Sequence, residues 1–134
     1  MGVEKIYLTW DDVDTLLDKI YQQSKDYKID FVTGIPRGGV ILAILYSHKY
    51  DIRYTHYGSD LSNLLILDDI SDSGVTLEGF KKQFESPFYA TLHYKESSSF
   101  KPDIFAKQVP MDYGWIVYPW EKKDSKTIQN YLEN

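Results

Sequence analysis

The sequence predicts an α/β fold: a single-domain parallel sheet flanked by helices, spanning residues 1–134. Three observations predict it. Short continuous apolar runs such as "IDFVTGI" and "LLILD" read as strands buried on both faces. Segments with apolar residues at helical spacing alternate with those runs. A chain of 134 residues, 43% hydrophobic and 26% charged, holds one core and little more.

In chain order, "TWDDVDTLLDKIYQQ" is the first helix. Thr9 caps it, Asp11 and Asp12 sit in its positive first turn, and Trp10, Val13, Leu16, Leu17 and Ile20 share one face. "IDFVTGI" (29–35) is the strand that follows. "GGVILAILYSHKY" is apolar nearly all round and so a buried helix. "IRYTHY" alternates weakly as a strand, and "GSDLSN" is turn material. "LLILD" is a buried strand, "TLEGFKKQF" a helix, and "YATLHY" and "GWIVY" are strands. "ESSSFKPD" (96–103) reads as a polar loop, and "SKTIQNYLEN" as a short terminal helix. No repeat or low-complexity tract interrupts this order.

Composition narrows the function classes. With no cysteine there is no disulfide, thiolate nucleophile or cysteine-bound zinc, and a cytoplasmic setting is expected. A net charge of −5 argues against nucleic acid as a partner. No apolar run approaches the roughly 20 residues of a membrane span, so no membrane partner is expected. The 16% aromatic content, with 12 tyrosines, serves packing and interfaces or stacking on a planar ligand.

In parallel sheets ligands bind beyond the carboxyl ends of the strands. The first such loop is "TGIPRGGVIL". Its glycines allow close backbone approach, Arg37 offers a planar cationic fork, and the following helix presents free N–H groups. It is neither a Walker A loop nor a dinucleotide fingerprint, and a tight turn with a solvated arginine explains it equally well. The second is "LLILDDISDSGVTL" (64–77). Strand alternation puts Asp68 and Asp69 on opposite sides, one toward a ligand and one securing the loop. Carboxylates there accept from vicinal hydroxyls and hold hydrated Mg²⁺. Ser73, Gly74 and Thr76, just before a helix, form a cradle for a phosphate dianion. A plain capping cluster explains one Asp or Ser, not the acidic doublet plus Gly-Val-Thr.

This second stretch resembles the phosphoribosyl-pyrophosphate (PRPP) signature of the type I phosphoribosyltransferases. "GIPRGGV" is similar to their pyrophosphate loop. "YLTWDDVDTLL" and "GWIVYPWE" are similar to the two ends of the bacterial xanthine–guanine subgroup. The four matches occur in family order along nearly the whole chain. The resemblance implies the family fold with a small C-terminal base-binding hood. It implies that Asp68 and Asp69 bind the ribose hydroxyls, and that Asp72, Ser73, Gly74, Val75 and Thr76 hold the 5-phosphate. It assigns Arg37 and Gly38 to the pyrophosphate, across a Pro36–Arg37 peptide that is often cis in the family. Asp72 falls on the general base. Lys95 matches the donor to the 6-oxygen of the base, and Trp115 and Ile116 contact the base. Asp69 and Glu121 are the implied metal ligands, for Mg²⁺. Partners would be PRPP, a purine base or nucleotide, and further copies of the chain in a homo-oligomer.

The chain departs from the family in one respect. Only "YGSDLSN" joins "IRYTH" to "LLIL", where the family carries a long closing loop. Two readings follow. One is Mg²⁺-dependent transfer of phosphoribose from PRPP to a 6-oxopurine (guanine, xanthine or hypoxanthine), with pyrophosphate released. The other is a PRPP- or nucleotide-binding regulatory module with little or no turnover. A phosphoacceptor receiver domain fits less well, because the acidic pair lies on the third strand rather than the first.

Overall fold

The computed structural model describes residues 4–55 and 60–122. Its elements are β1 (Lys5–Tyr7), α1 (Trp10–Ser24), β2 (Phe31–Gly34), α2 (Gly38–Tyr50), β3 (Arg53–Tyr54), β4 (Leu64–Ser71), α3 (Val75–Gln83), β5 (Phe88–Lys95), β6 (Ile104–Val109) and β7 (Trp115–Val117). Five strands form one sheet in the order β3-β2-β4-β5-β6, every pair parallel. β1 and β7 pair, also in parallel, as a separate two-stranded sheet, the hood. No helix among the described residues is long and apolar enough to cross a membrane.

α1 begins where the capping residues place it. The Thr9 hydroxyl accepts from the Asp12 amide at 3.1 Å, and the Asp12 carboxylate accepts from the Thr9 amide at 2.8 Å. Two otherwise unpaired helix-end donors are thereby satisfied. Its apolar stripe, Val13, Leu16, Leu17 and Ile20, is buried on the sheet.

β4 organises the core by simple alternation. Leu65 and Leu67 join α1 and α2 in one cluster with Leu17, Ile20, Leu42 and Tyr46. Leu64 and Ile66 join Leu77 of α3 and Tyr89 of β5 in a second cluster on the other face. Leu64, Leu65, Ile66 and Leu67 of β4 are fully buried. Each contributes roughly 1.5–3 kcal/mol, which fixes the register that delivers Asp68 to the strand's end. α2 abuts the sheet because Gly39 has no side chain: a Cβ there would lie 2.2 Å from the Leu67 carbonyl oxygen.

Some elements differ from the sequence reading. "IRYTHY" is a strand only over Arg53–Tyr54, and its later residues fall partly in 56–59, outside the described residues. The C-terminal helix also falls outside them. β1 and β6 are additional strands. β6 is an edge strand whose centre is polar, with Lys107 and Gln108 exposed, so periodicity alone does not mark it. Most telling is the β5–β6 connection. Parallel neighbours normally need a crossover of a dozen or more residues, usually a helix. Here the eight residues 96–103 suffice. They cross as a strap with Phe100 against Tyr89 (ring centroids 5.8 Å apart), and the Asp103 carboxylate accepts from the Tyr89 amide at 2.8 Å.

Candidate active site

A cavity opens at the carboxyl ends of β2, β4 and β5, roofed by the hood. Its wall includes Arg37, Gly38, Asp68, Asp69, Asp72, Lys95, Trp115, Ile116, Tyr118 and Glu121. The topology explains the convergence. In a parallel sheet every strand end points the same way, so loops far apart in sequence meet above one edge.

Arg37 precedes α2 and is exposed, and the Pro36–Arg37 peptide is cis. Gly38 leaves room for a carboxylate: a Cβ on it would stand 2.6 Å from Asp69 Oδ2. β4 extends past both aspartates to Ser71. Each carboxylate accepts from the next amide, Asp68 Oδ1 from Asp69 N and Asp69 Oδ1 from Ile70 N, both at 2.9 Å. Both residues belong to the cavity wall.

The acids are electrostatically crowded. Burial, then the neighbouring Asp69 charge, pushes the Asp68 carboxyl well above the ordinary carboxylate range. Burial raises Asp69 as well. Glu121 is raised chiefly by burial and also by the Asp69 charge, while the Arg37 guanidinium opposes the shift. Its Oε1 accepts from the Tyr118 amide at 2.8 Å. Asp72 is ion-paired to Lys95 at 3.1 Å, both side chains largely shielded from solvent. Four acids therefore face two bases in the wall.

No group of three or more metal-ligating side chains exists among the described residues. The carboxylate oxygens of Asp69 and Glu121 in the cavity wall are hard donors that fit Mg²⁺. Mg²⁺ is commonly held by one or two carboxylates plus substrate phosphates and water, not by an all-protein cage. Asp69 and Glu121, crowded and short of cations, are suited to that role.

The loop after β4 has a different setting. Ser73 and Val75 are exposed, and Ser73–Thr76 stand beside the cavity rather than in its wall. Gly74 has φ +95°, which glycine adopts without strain, and it starts α3 with no side-chain cap. The strap packs directly on it. A Cβ at Gly74 would meet Ser99 Oγ at 2.4 Å and the Phe100 amide nitrogen at 2.6 Å. The Ser99 amide donates to the Ser73 carbonyl at 3.0 Å, and the single proton of the Ser99 hydroxyl has two acceptors in reach, the same carbonyl at 2.9 Å and the Glu78 carboxylate. Ser71 Oγ meets Ser98 Oγ at 2.8 Å and donates to the Phe100 carbonyl at 2.7 Å.

Trp115 and Ile116 come from β7. The Trp115 indole N–H is buried without a hydrogen-bond partner among the described residues. Two side chains escaped the sequence reading. Tyr118 is buried, its hydroxyl 2.8 Å from His93 Nδ1 and donating to the Asp69 carbonyl at 3.2 Å. His93 is buried on β5, and burial, with Lys107 adding to it, lowers its pKa to about 4. The only signal in the sequence was position: Tyr118 directly precedes the Pro-Trp-acid tripeptide, and His93 lies in a strand two residues before Lys95.

No protein-family model matches the chain. Among curated proteins it is 30% identical over 114 residues to the xanthine-guanine phosphoribosyltransferase of Cereibacter sphaeroides, covering 67% of this chain and 68% of that one. It is 28% identical over 119 residues to the enzyme of the same name from Roseobacter denitrificans, covering 67% of each. Among solved structures, a purine phosphoribosyltransferase from Pyrococcus horikoshii superposes with a TM-score of 0.78 at 30% identity, over 91% of this chain and 97% of that one. The xanthine-guanine-hypoxanthine phosphoribosyltransferase of Helicobacter pylori has a TM-score of 0.71 at 20% identity, a likeness of fold, over 89% and 93%. With that fold, that cavity and those relatives, the chain belongs to the purine phosphoribosyltransferases of the type I family.

Proposed function

We propose that the protein transfers phosphoribose from PRPP to a 6-oxopurine with Mg²⁺, giving the nucleoside monophosphate and pyrophosphate. The observation that carries this reading is the Asp72–Lys95 ion pair in the same cavity wall as Asp68, Asp69 and Trp115. A purine held against Trp115 meets both members of the pair. Lys95 donates to an exocyclic 6-oxygen and has no way to accept from a 6-amino group. Asp72 takes up the proton that the purine sheds as its nitrogen bonds to the anomeric carbon.

The breaking bond joins that carbon to the pyrophosphate oxygen. Positive charge develops on the ribose and negative charge on the leaving group. Asp68 and Asp69 hold the ribose hydroxyls on the first side. Arg37 and the N–H groups opening α2 receive the pyrophosphate on the second. Asp69 and Glu121 would hold Mg²⁺, which when bound supplies charge to the leaving group. The uncapped start of α3, with Ser73, Gly74, Val75 and Thr76, receives the 5-phosphate just outside the wall. Ile116 packs against the base. Further copies of the chain would complete a homo-oligomer.

A binding module with little turnover is the second reading, favoured by the strap. Residues 98–100 already occupy the space over Gly74, where a mobile cover would otherwise close. Incubation with PRPP, Mg²⁺ and guanine, xanthine or hypoxanthine separates the two. Release of pyrophosphate with at least one base is expected. No release with any of them, under conditions where calorimetry detects PRPP binding, overturns the enzymatic reading in favour of the module.

A further inference from the structure

Asp69 and Glu121 reach the cavity from separate bodies. Asp69 belongs to the five-stranded sheet. Glu121 belongs to the turn after β7, and β7 pairs with β1, not with that sheet. Their spacing therefore depends on what fastens the turn to the end of β4. Tyr118 touches both sides. Its amide donates to Glu121 Oε1 at 2.8 Å, and its hydroxyl donates to the Asp69 main-chain carbonyl at 3.2 Å. A phenol has one proton, so with that proton on Asp69 the 2.8 Å contact with His93 is an Nδ1–H donation to the phenol oxygen. The phenol thus ties the hood turn, β4 and β5 together. Its ring lies flat on Trp120 (centroids 5.1 Å apart, planes 6° apart), which sets the direction in which the hydroxyl points.

We propose that Tyr118 is a positioning residue that fixes the separation of Asp69 and Glu121, and with it the affinity of the cavity for a divalent cation. The proposal rests on the assignment of those two carboxylates to Mg²⁺. It makes no use of the purine or of turnover. The Tyr118 amide keeps Glu121 oriented within its own turn, and the hydroxyl keeps that turn at a fixed distance from Asp69. Without the hydroxyl the ring still packs, but the turn can slide along the strand end. A buried phenol replaced by a phenyl also leaves the His93 N–H and the Asp69 carbonyl without their partner.

Tyr118→Phe tests this, because it keeps the ring and removes the hydroxyl. Mn²⁺ serves as the probe, its binding followed by electron spin resonance first without PRPP and then with it. Loss of one hydrogen bond predicts Mn²⁺ affinity lower by about fivefold in both cases. In turnover assays the Mg²⁺ concentration for half-maximal rate rises by a similar factor, while the KM for the purine stays within about twofold. Unchanged Mn²⁺ affinity in a folded Tyr118→Phe protein overturns the proposal, as does a loss that falls on the purine KM instead. Should that variant fail to fold, His93→Leu removes the donor behind the phenol. It is expected to weaken Mn²⁺ binding by about twofold, and unchanged binding there overturns the proposal too. A wild-type protein that binds Mn²⁺ yet releases no pyrophosphate refutes the enzymatic reading and leaves the Mn²⁺ comparison intact as the test of Tyr118.

Discussion

The acidic end of β4 and the hood above it are held in place by different means. β4 has eight residues, hydrogen-bonded neighbours on both sides and fully buried leucines facing two separate clusters. Its end cannot shift without breaking the core. The hood has two strands of three residues each. A two-stranded ribbon of that size has marginal stability of its own. It is held by Leu8 donating to the Val117 carbonyl, by the buried Ile116 and Tyr118, and by the Tyr118–His93 contact. The difference suggests a division of labour. In the proposed reading, the ribose-facing acids Asp68 and Asp69 and the Asp72–Lys95 pair stand on or beside the rigid sheet, while Trp115, Ile116 and Glu121 stand on the lighter element.

The largest expected effect lies at the strand end. Asp72→Asn keeps shape and hydrogen-bonding capacity but removes the proton acceptor and the ion pair with Lys95. Turnover should fall about 10²- to 10⁴-fold, with PRPP affinity, read by calorimetry, changed far less. A drop confined to PRPP affinity would leave Asp72 with the phosphate-binding groups and remove it as the proton acceptor.

The joint between the two regions gives the next effect. His93 has its pKa lowered to about 4 by burial, against an ordinary value near 6.5. A base whose folded value is depressed stays neutral in the native state while the unfolded chain takes up a proton. Its contribution is complete above about pH 6.5 and is lost as pH falls toward 4, by about 3 kcal/mol in all. The groups facing it are the Tyr118 hydroxyl and, on β6, Lys107, whose charge disfavours the protonated ring. Asp68, Asp69 and Glu121 act in the opposite sense, because carboxyls with raised values add stability at low pH that disappears as pH rises. Urea unfolding between pH 7 and 4.5 separates the two. His93→Gln should lose less stability on acidification than the wild type does. An identical slope in both proteins would mean that His93 is not the group that makes the joint acid-sensitive.

How much of this was legible in the sequence follows the same line between regions. β4 and its loop were readable because four apolar residues running into acids, then Ser-Gly-Val-Thr, leave few alternative structures. The opening of α2 was readable for a similar reason. The Thr9 cap of α1 is a local motif and appeared as expected, while the return bond from the Thr9 amide to the Asp12 carboxylate was not read from the sequence. β1 and β6 were not visible, since three residues carry no periodicity and an edge strand with an exposed centre carries little. The strap was read as a polar loop. Its serines are polar because they bond the main chain and side chains of the loop before α3, which is a tertiary fact. Tyr118 and His93 are 25 residues apart in the chain and meet only when the hood docks.

The smallest effect concerns the hood alone and sharpens the comparison from its other side. Trp115 lies in the cavity wall with a buried indole N–H that has no acceptor among the described residues. A purine stacked on that ring gains contact area, and stacking of a base on an aromatic side chain is worth about 1–3 kcal/mol. Trp115→Leu keeps an apolar side chain on β7 and removes the flat surface. In the proposed reading the base rests on the ring both before and during bond formation, so the loss is one of uniform binding. The KM for the purine should rise by about tenfold with kcat little changed. PRPP affinity should not move, since the phosphate- and ribose-facing groups stand on the sheet. A Trp115→Leu protein that lost PRPP binding together with purine binding would show that the hood and the strand end act as one rigid unit. The separation of roles would then have to be drawn inside the cavity, between Asp72 and its neighbours, rather than between the two sheets.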